Sequence, residues 1–377
     1  MTLEEILNNL LVISKVKNKT LGFQFENQVL CRIHNLESES LVGNIYCGYV
    51  KDVVKNINAA FVEFDSDKKG FLSLNNIPFP VKQGDKILVQ VSGDKVKTKD
   101  YLLTWKINIP GAAVVLTVGD TNISISRKIK DKELKESLKE SLLEFSNKEY
   151  GFILRTNSTE YTIDEIKQQA EKLILQYNDY KNKLLHGKAK TAIHIKNHSI
   201  DLCKNFVTKS KGKIITDVAL IYKELTAEQI NVLWNDDSKV NLINKYSLEK
   251  HIGNALNRHV WLKSGAYLVI EQTEAMTVID VNTGKADMHT NRKQTLFKIN
   301  KEALGEIARQ LKIRNISGTI IVDLINVDTS LYEELIQYMR ESVMDDFVLC
   351  SVVDITKLGL MEITRKKQEP PLYEILK

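Results

Sequence analysis

The chain is 377 residues long, enough for roughly two to four domains. Hydrophobic residues make up 43% and charged residues 27%, which excludes global disorder. No run of about 18 apolar residues marks a membrane span. The net charge of +5 permits a nucleic-acid partner without arguing for one.

The opening residues, MTLEEILNNL, have no basic n-region and no cleavage site, so a cytoplasmic chain without a signal peptide is expected. Cys31, Cys47, Cys203 and Cys350 form no CxxC pair, which suits buried free thiols in a reducing compartment and gives no structural zinc site. His194 and His198 are four apart, but the flanking Ile193 and Ile195 suggest a strand rather than a helical metal pair.

In chain order, residues 1–35 alternate in short runs separated by polar turns and read as antiparallel strands. Residues 41–117 continue as strands with no helical period, and closure into a small barrel removes their edges. Residues 130–145 switch to a helix with Leu134, Leu138, Leu142 and Leu143 on one face. A strand, YGFILRT, follows at 150–156. The long helix over 162–186 turns Ile166, Ala170, Leu173, Ile174, Tyr177 and Leu184 inward, and Gly187 is placed to end it. Residues 191–250 mix strands (TAIHI, KIITDVALIYK) with short helices. Residues 256–377 read as α/β, with strands in GAYLVIEQ, AMTVIDVN, GTIIVDLINV, FVLCSVVDI and LMEITRK and helices over 295–313 and 330–343. The final KKQEPPLYEILK has no core of its own.

Carboxylates give this last block its sharpest signal. Alternation places Val278, Asp280 and Asn282 on one face of a strand, near its C-terminal end. Asp323 interrupts an otherwise apolar strand, where a bare carboxylate costs several kcal/mol unless paired or metal-bound. Two such carboxylates on neighbouring strand ends, with an amide beside them, suit a hard divalent cation such as Mg²⁺. Each Asp taken alone equally suits a turn cap or a partner Arg. Asp328 and Asp354 read as turn residues. Arg309, Lys312 and Arg314 on one helix suit either a solvated face or phosphate contact.

Phe61 and Phe71 follow small or turn-forming residues in barrel strands, where surface rings stack bases and core rings fill a barrel. Lys97 and Lys99 lie between strands. Arg155 and Thr156 end the strand GFILRT, where a guanidinium fork and a hydroxyl suit a terminal phosphate, and Arg127 and Lys128 add charge.

Together, GNIYCGYVKDVV, AAFVEF, KKGFLSL, ISRKI, GFILRT, VWLKSGAYLVIEQTEAMTVIDVNTGK, ARQLKIRNISGTIIVDLINV and LGLMEITRKK resemble the ribonuclease E/G family of bacterial endoribonucleases, collinearly over about residues 1–370. QTEAMTVIDVNTG is the most specific stretch. The resemblance implies an α+β to α/β multidomain chain. An RNase H-like subdomain is built from residues 1–35 and 191–255. An S1 (OB-fold) barrel over 36–119 and a 5′-sensor over 120–190 are inserted in it, and a DNase I-like catalytic domain covers 256–377.

The resemblance assigns the metal to Asp280 and Asp323 and an orienting role to Asn282. RNA binding falls to Phe61, Phe71 and Lys99, and the 5′-phosphate sensor to Arg127, Arg155 and Thr156. It implies a Mg²⁺-dependent endoribonuclease, with Mn²⁺ as a substitute. Metal-activated water attack on single-stranded RNA would leave 5′-phosphate and 3′-hydroxyl ends, in rRNA processing or mRNA decay. A non-catalytic S1-type RNA-binding protein is the alternative, against which Asp280, Asn282 and Asp323 argue. A phosphoesterase acting on DNA or a small ester is disfavoured by the barrel, which suits a flexible strand.

One departure stands out. The family's zinc-link motif, CPxCxG, does not follow LGLMEITRKK, where this sequence reads QEPPLYEILK. A homo-oligomer bridged by zinc is therefore not expected.

Overall fold

The structure, a computed structural model, describes residues 9–37, 40–95, 100–126, 129–145, 147–236, 241–286 and 292–377. It is a mixed α+β chain that divides into two compact units, Met1–Ser38 with Asn197–Lys377, and Glu39–Lys196. Among the described residues, no helix is long and apolar enough to cross a membrane.

The first unit begins with the strands Asn9–Val16, Lys19–Glu26 and Val29–Asn35, paired antiparallel as expected. Lys17 and Asn18, then Asn27 and Gln28, adopt positive φ, the conformation that lets a two-residue turn follow strand twist. Strand Asn9–Val16 also pairs in parallel with Lys213–Thr216, which pairs with Val232–Trp234, so segments about 200 residues apart share one sheet. Leu11 and Ile13 face Cys203, Phe206, Ile221 and Leu225, while Val12 and Val16 face Leu242, Leu248 and Ile252. Burial on both faces explains the near-continuous apolar run LLVI.

Two expectations change here. KIITDVALIYK is not one strand: it ends at Thr216, and Ala219–Ala227 is a helix burying Ile221 and Leu225 four residues apart. The final segment does contribute to a core, because Leu372 is buried beside Val12, Phe23 and Ile252.

The second sheet of this unit runs His259–Trp261, Tyr267–Gln272, Met276–Asn282, Gly318–Asp323, Leu360–Arg365, Cys350–Ile355. Met276–Asn282 and Gly318–Asp323 are parallel, joined through the crossover helix Arg292–Ile313. That helix and Tyr332–Ser342 cover one face, burying Ile270, Ile279, Val281, Val322 and Ile363 against Leu304, Ile307, Leu311 and Met339.

A buried ion cluster ties the unit together. Arg365 Nε donates to Asp346 Oδ2 at 2.8 Å, and Arg32 Nη2 donates to Asp346 Oδ1 at 2.8 Å. Arg365 Nη1 also donates to Asn315 Oδ1 and to the Ile316 carbonyl, at the entry to the Asp323 strand. The Arg365 and Asp346 side chains are 0% and 2% exposed.

In the second unit, Ile45–Val54, Ala59–Asp65, Lys68–Ser73, Tyr101–Thr104 and Lys86–Gly93 pair in that order, and Lys86–Gly93 returns to Ile45–Val54, closing a five-stranded barrel. Asn108–Pro110 and Val114–Val118, expected as the barrel's last strands, belong instead to a sheet with Tyr150–Leu154 and Ile123–Ile125. Thr191–His194, expected with the following segment, pairs with Ile45–Val54 of the barrel. Helices Lys132–Leu143 and Ile163–His186 pack on the second sheet. Leu134, Leu138 and Leu142 point inward at four-residue spacing, whereas Leu143 is exposed. Thr162 and Glu165 form a capping box at the start of the long helix. The helix ends at Gly187, whose backbone turns extended while its amide still donates to the Lys183 carbonyl, and a Cβ there would lie 2.3 Å from that oxygen.

Burial pushes the Asp346 carboxyl up, but Arg365 and Arg32 outweigh it and hold the group below the usual 3.8. The resulting stabilisation is complete above the unfolded carboxylate pKa and is lost as pH falls through the lower folded value. Asp346→Asn strands two buried guanidinium groups and should cost about 3–5 kcal/mol at pH 7. In urea denaturation at successive pH values, the gap between wild type and variant should narrow only below about pH 4.

Candidate functional site

Asp280 and Asp323 are register partners on adjacent parallel strands. In the pattern along Met276–Asn282, Thr277, Ile279 and Val281 are buried against the helices, and Met276, Val278 and Asp280 are exposed. Asp323, the last residue of its strand, is exposed as well. The two carboxylates therefore share the uncovered face of the sheet, on strands about 4.8 Å apart. The expected cost of a carboxylate inside an apolar run does not arise: Ile320 and Val322 take the buried side, and Asp323 ends the strand in solvent.

Asn282 Nδ2 donates to Asp280 Oδ2 at 2.8 Å, which orients that carboxylate and leaves the amide oxygen as a further oxygen donor. The turn after Asn282 is tightly built. Gly284 has φ +52°, and a Cβ on it would lie 2.5 Å from the Gly265 carbonyl oxygen, which accepts from the Lys285 amide. Among the described residues, no Lys or Arg forms an ion pair with Asp280 or Asp323. Like charges directly opposite across a strand pair are destabilising by themselves. The donors are hard oxygens, and among the described residues no group of three or more His, Cys, Asp or Glu forms a protein cage. This set fits a divalent cation that keeps several of its waters.

Asp328 is a turn residue, as expected, and caps the turn at Ser330. Asp354, also expected in a turn, lies instead in the strand Cys350–Ile355, at a register shift, where it accepts from the Ile355 amide. Two of the helix cations are held by carboxylates, and the third, buried Arg314, keeps its Nη2 without a hydrogen-bond partner among the described residues. Arg309 grips Glu306 with two donors and the Leu30 carbonyl with a third. Lys312 pairs with Asp345 at 3.0 Å, and Arg314 is buried with its Nε on Gln310.

On the barrel, Phe61 and Phe71 are register partners with ring centroids 6.2 Å apart in an edge-to-face arrangement. Both are half-buried and lie outside the core formed by Ala60, Val62, Phe64 and Leu72, so the alternation that fills the barrel turns these rings outward. Exposed Leu102 is the register partner of Phe71 on the next strand. The nearby cations have local partners: Lys51 and Lys190 pair with Glu63, and Lys69 with Asp100. Lys99 and Lys97 lie outside the described residues.

Arg155 Nη1 donates to the Gly111 carbonyl at 3.0 Å, and the Arg155 amide donates to the Ala113 carbonyl. The side chain is thus anchored while its Nη2 and Nε retain donors. Thr156 is exposed and its hydroxyl lies 2.8 Å from that of Ser126. Arg127 and Lys128 lie outside the described residues.

A model of the ribonuclease E/G family matches residues 108–368, more than half of the chain. Ribonuclease G of Salmonella typhimurium (strain SL1344) is 30% identical over 402 residues, covering 97% of this chain and 81% of that protein. The chain belongs to the ribonuclease E/G family. Ribonuclease G of Escherichia coli (strain K12) is 30% identical over 405 residues with the same coverage. Ribonuclease E of Synechocystis sp. (strain ATCC 27184 / PCC 6803 / Kazusa) is 28% identical over 361 residues, covering 89% of this chain and 53% of that protein. The resemblance read from the sequence is the right one.

This family member has one feature that the sequence reading passed over. His259, Trp261 and Tyr267 line the same open face as the carboxylates, and Trp261 is 64% exposed. The signal was present in HVW and AYLVI, where alternation puts the aromatic residues opposite the core-facing ones.

Because Phe61 and Phe71 sit outside the barrel core, replacing either with Ala should leave thermal stability within about 1 kcal/mol of wild type. The affinity for a single-stranded oligoribonucleotide should fall by about 1–3 kcal/mol per ring, read by fluorescence anisotropy.

Proposed function

We propose that this endoribonuclease hydrolyses internal phosphodiesters of single-stranded RNA at the Asp280–Asp323 pair with Mg²⁺ bound there, leaving 5′-phosphate and 3′-hydroxyl ends. The observation that carries the reading is the side-by-side register of two exposed carboxylates, oriented by Asn282 and neutralised by no described cation. Asp280 and Asp323 would hold the ion, with Mn²⁺ as a substitute, through one oxygen or more each. A bound divalent cation supplies an activated water and neutralises charge on the phosphoryl oxygen.

The protein's own groups do the rest. Asn282 keeps Asp280 aimed by its hydrogen bond. The exposed strand ends leave room, among the described residues, for an extended backbone. Since the attacking group is water, the 2′-hydroxyl of RNA takes no part as nucleophile, which accounts for the proposed ends.

In this reading the closed barrel is an S1 domain whose Phe61 and Phe71 stack bases, with Lys99 contacting the backbone. Arg155 and Thr156, with Arg127, read a 5′-monophosphate. The sheet shared by Asn9–Asn35 and Lys213–Trp234 supports the RNase H-like label. The helix-backed sheet carrying the carboxylates supports the DNase I-like one. The setting is RNA processing or decay in the cytoplasm.

The test compares one A/U-rich oligoribonucleotide bearing a 5′-monophosphate or a 5′-hydroxyl, with Mg²⁺ and with EDTA. Internal cutting should require the metal and run faster on the monophosphate. Asp280→Asn or Asp323→Asn should lower cleavage more than about a hundredfold, and Asn282→Ala about 10- to 100-fold, as expected for a ligand and its orienting partner. RNA affinity should change little in all three. No cutting with any metal would return the chain to a non-catalytic RNA-binding role.

A further inference from the structure

We propose that Trp261 and Tyr267 form a stacking platform for one RNA base, within about three nucleotides of the scissile phosphate; the position relative to the cut rests on the nuclease reading above. The placement follows from register. Trp261 pairs with Tyr267, and Tyr267 pairs with Asn282. In the next row, His259 pairs with Val269, Val269 with Asp280, and Asp280 with Asp323. Directly paired residues point to the same side of a sheet, so the rings and the carboxylates share one open face. Tyr267 stands one strand from Asn282, about 5 Å, and Trp261 two strands away, about 10 Å. At about 3.4 Å per stacked nucleotide, that is a reach of about three nucleotides.

The rings already form a surface. The Trp261 and Tyr267 centroids are 5.1 Å apart, and those of His259 and Tyr267 are 5.9 Å apart. Packing does not explain Trp261. The core-side positions on either side of it are taken by Val260 and by Leu262, just past the strand, and the indole is 64% exposed on a three-residue edge strand. A large exposed aromatic ring with an identical face orientation to a charged reaction site calls for a ligand with a flat face and an anionic backbone.

The cations fit that ligand too. Exposed Lys263 and Lys285 sit on two turns joined by the hydrogen bond from the Lys285 amide to the Gly265 carbonyl, beside Tyr267. Aromatic rings interleaved with lysines are what a single strand needs for stacking and phosphate contact. The sequence-tolerant character of stacking predicts little preference among the four bases.

The test uses the full chain and a single-stranded oligoribonucleotide with one cleavage position, carrying an abasic nucleotide at each of the three positions on either side in turn. Trp261→Ala should lower kcat/KM about 10- to 100-fold, and Trp261→Phe should recover most of it. At one abasic position wild type should lose a similar factor while Trp261→Ala loses no more. Equal rates for Trp261→Ala and wild type, or full additivity at every position, would overturn the platform. So would a second copy of the chain covering this face, seen as a dimer that Trp261→Ala dissolves.

A second readout separates this proposal from the nuclease reading. RNA binding should quench tryptophan fluorescence, and Trp261→Phe should lose that quench while Trp105 and Trp234 remain. Quenching without cleavage in wild type would sink the nuclease reading and keep the platform. Cleavage with an undiminished quench in Trp261→Phe would do the reverse.

Discussion

The buried ion cluster of Arg32, Asp346 and Arg365 is the constraint on which the carboxylate-bearing unit depends. It joins residues more than 300 positions apart, since Arg32 belongs to the third strand of the chain and Asp346 follows the helix Tyr332–Ser342. Arg365 spends its remaining donors on Asn315 and Ile316, two residues ahead of the strand that ends in Asp323. Arg32 lies over the Phe347 ring at 4.0 Å, and buried His34 stacks on the same ring. Burial and the neighbouring Arg32 hold the His34 imidazole well below its usual pKa, so it enters this cluster neutral. A single carboxylate thus sets the start of one strand, the end of one helix and the attachment of the first hairpins.

The division of labour between sheet faces explains why the site is open. Helices Arg292–Ile313 and Tyr332–Ser342 bury one side of the six-stranded sheet. The crossover that makes the central strands parallel also brings the ends of both strands, with Asp280 and Asp323, to the same edge. Two like charges placed there, with no counter-ion among the described residues, reduce stability, and the loss is offset by the apolar packing directly beneath, where Ile279 and Val322 pair on the buried side. The proposed site occupies the face that the core does not use.

The second unit follows the same rule with a different closure. Pairing of Ile45–Val54 with Lys86–Gly93 removes the barrel's free edges, and the inward positions take Val50, Val62, Phe64, Leu72 and Val89. The outward positions of the same strands are left to Phe61, Phe71 and Leu102. In the neighbouring sheet, Arg155 is anchored by backbone carbonyls of the Gly111–Ala113 turn, an attachment that requires strands from both sides of residue 119.

The sequence alone determined whatever has a local period. Alternation put Asp280 and Asn282 on one side of a strand, the four-residue spacing of Leu134, Leu138 and Leu142 set a helix face, and the apolar spacing from Ile166 to Leu184 set that of the long helix Ile163–His186. The strongest motif, QTEAMTVIDVNTG, was enough to point to the family. Tertiary structure decided what depends on partners distant in the chain. It paired Asp280 with Asp323, turned Phe61 and Phe71 outward, and moved Val114–Val118 from the barrel to its neighbour. It committed Arg309 and Lys312 to carboxylates, and it put Trp261 on the same sheet face as the carboxylate pair. The reason is physical: side-chain period is a property of a few consecutive residues, whereas strand register, counter-ion choice and which face remains uncovered are set by contacts between segments whose separation in sequence carries no period.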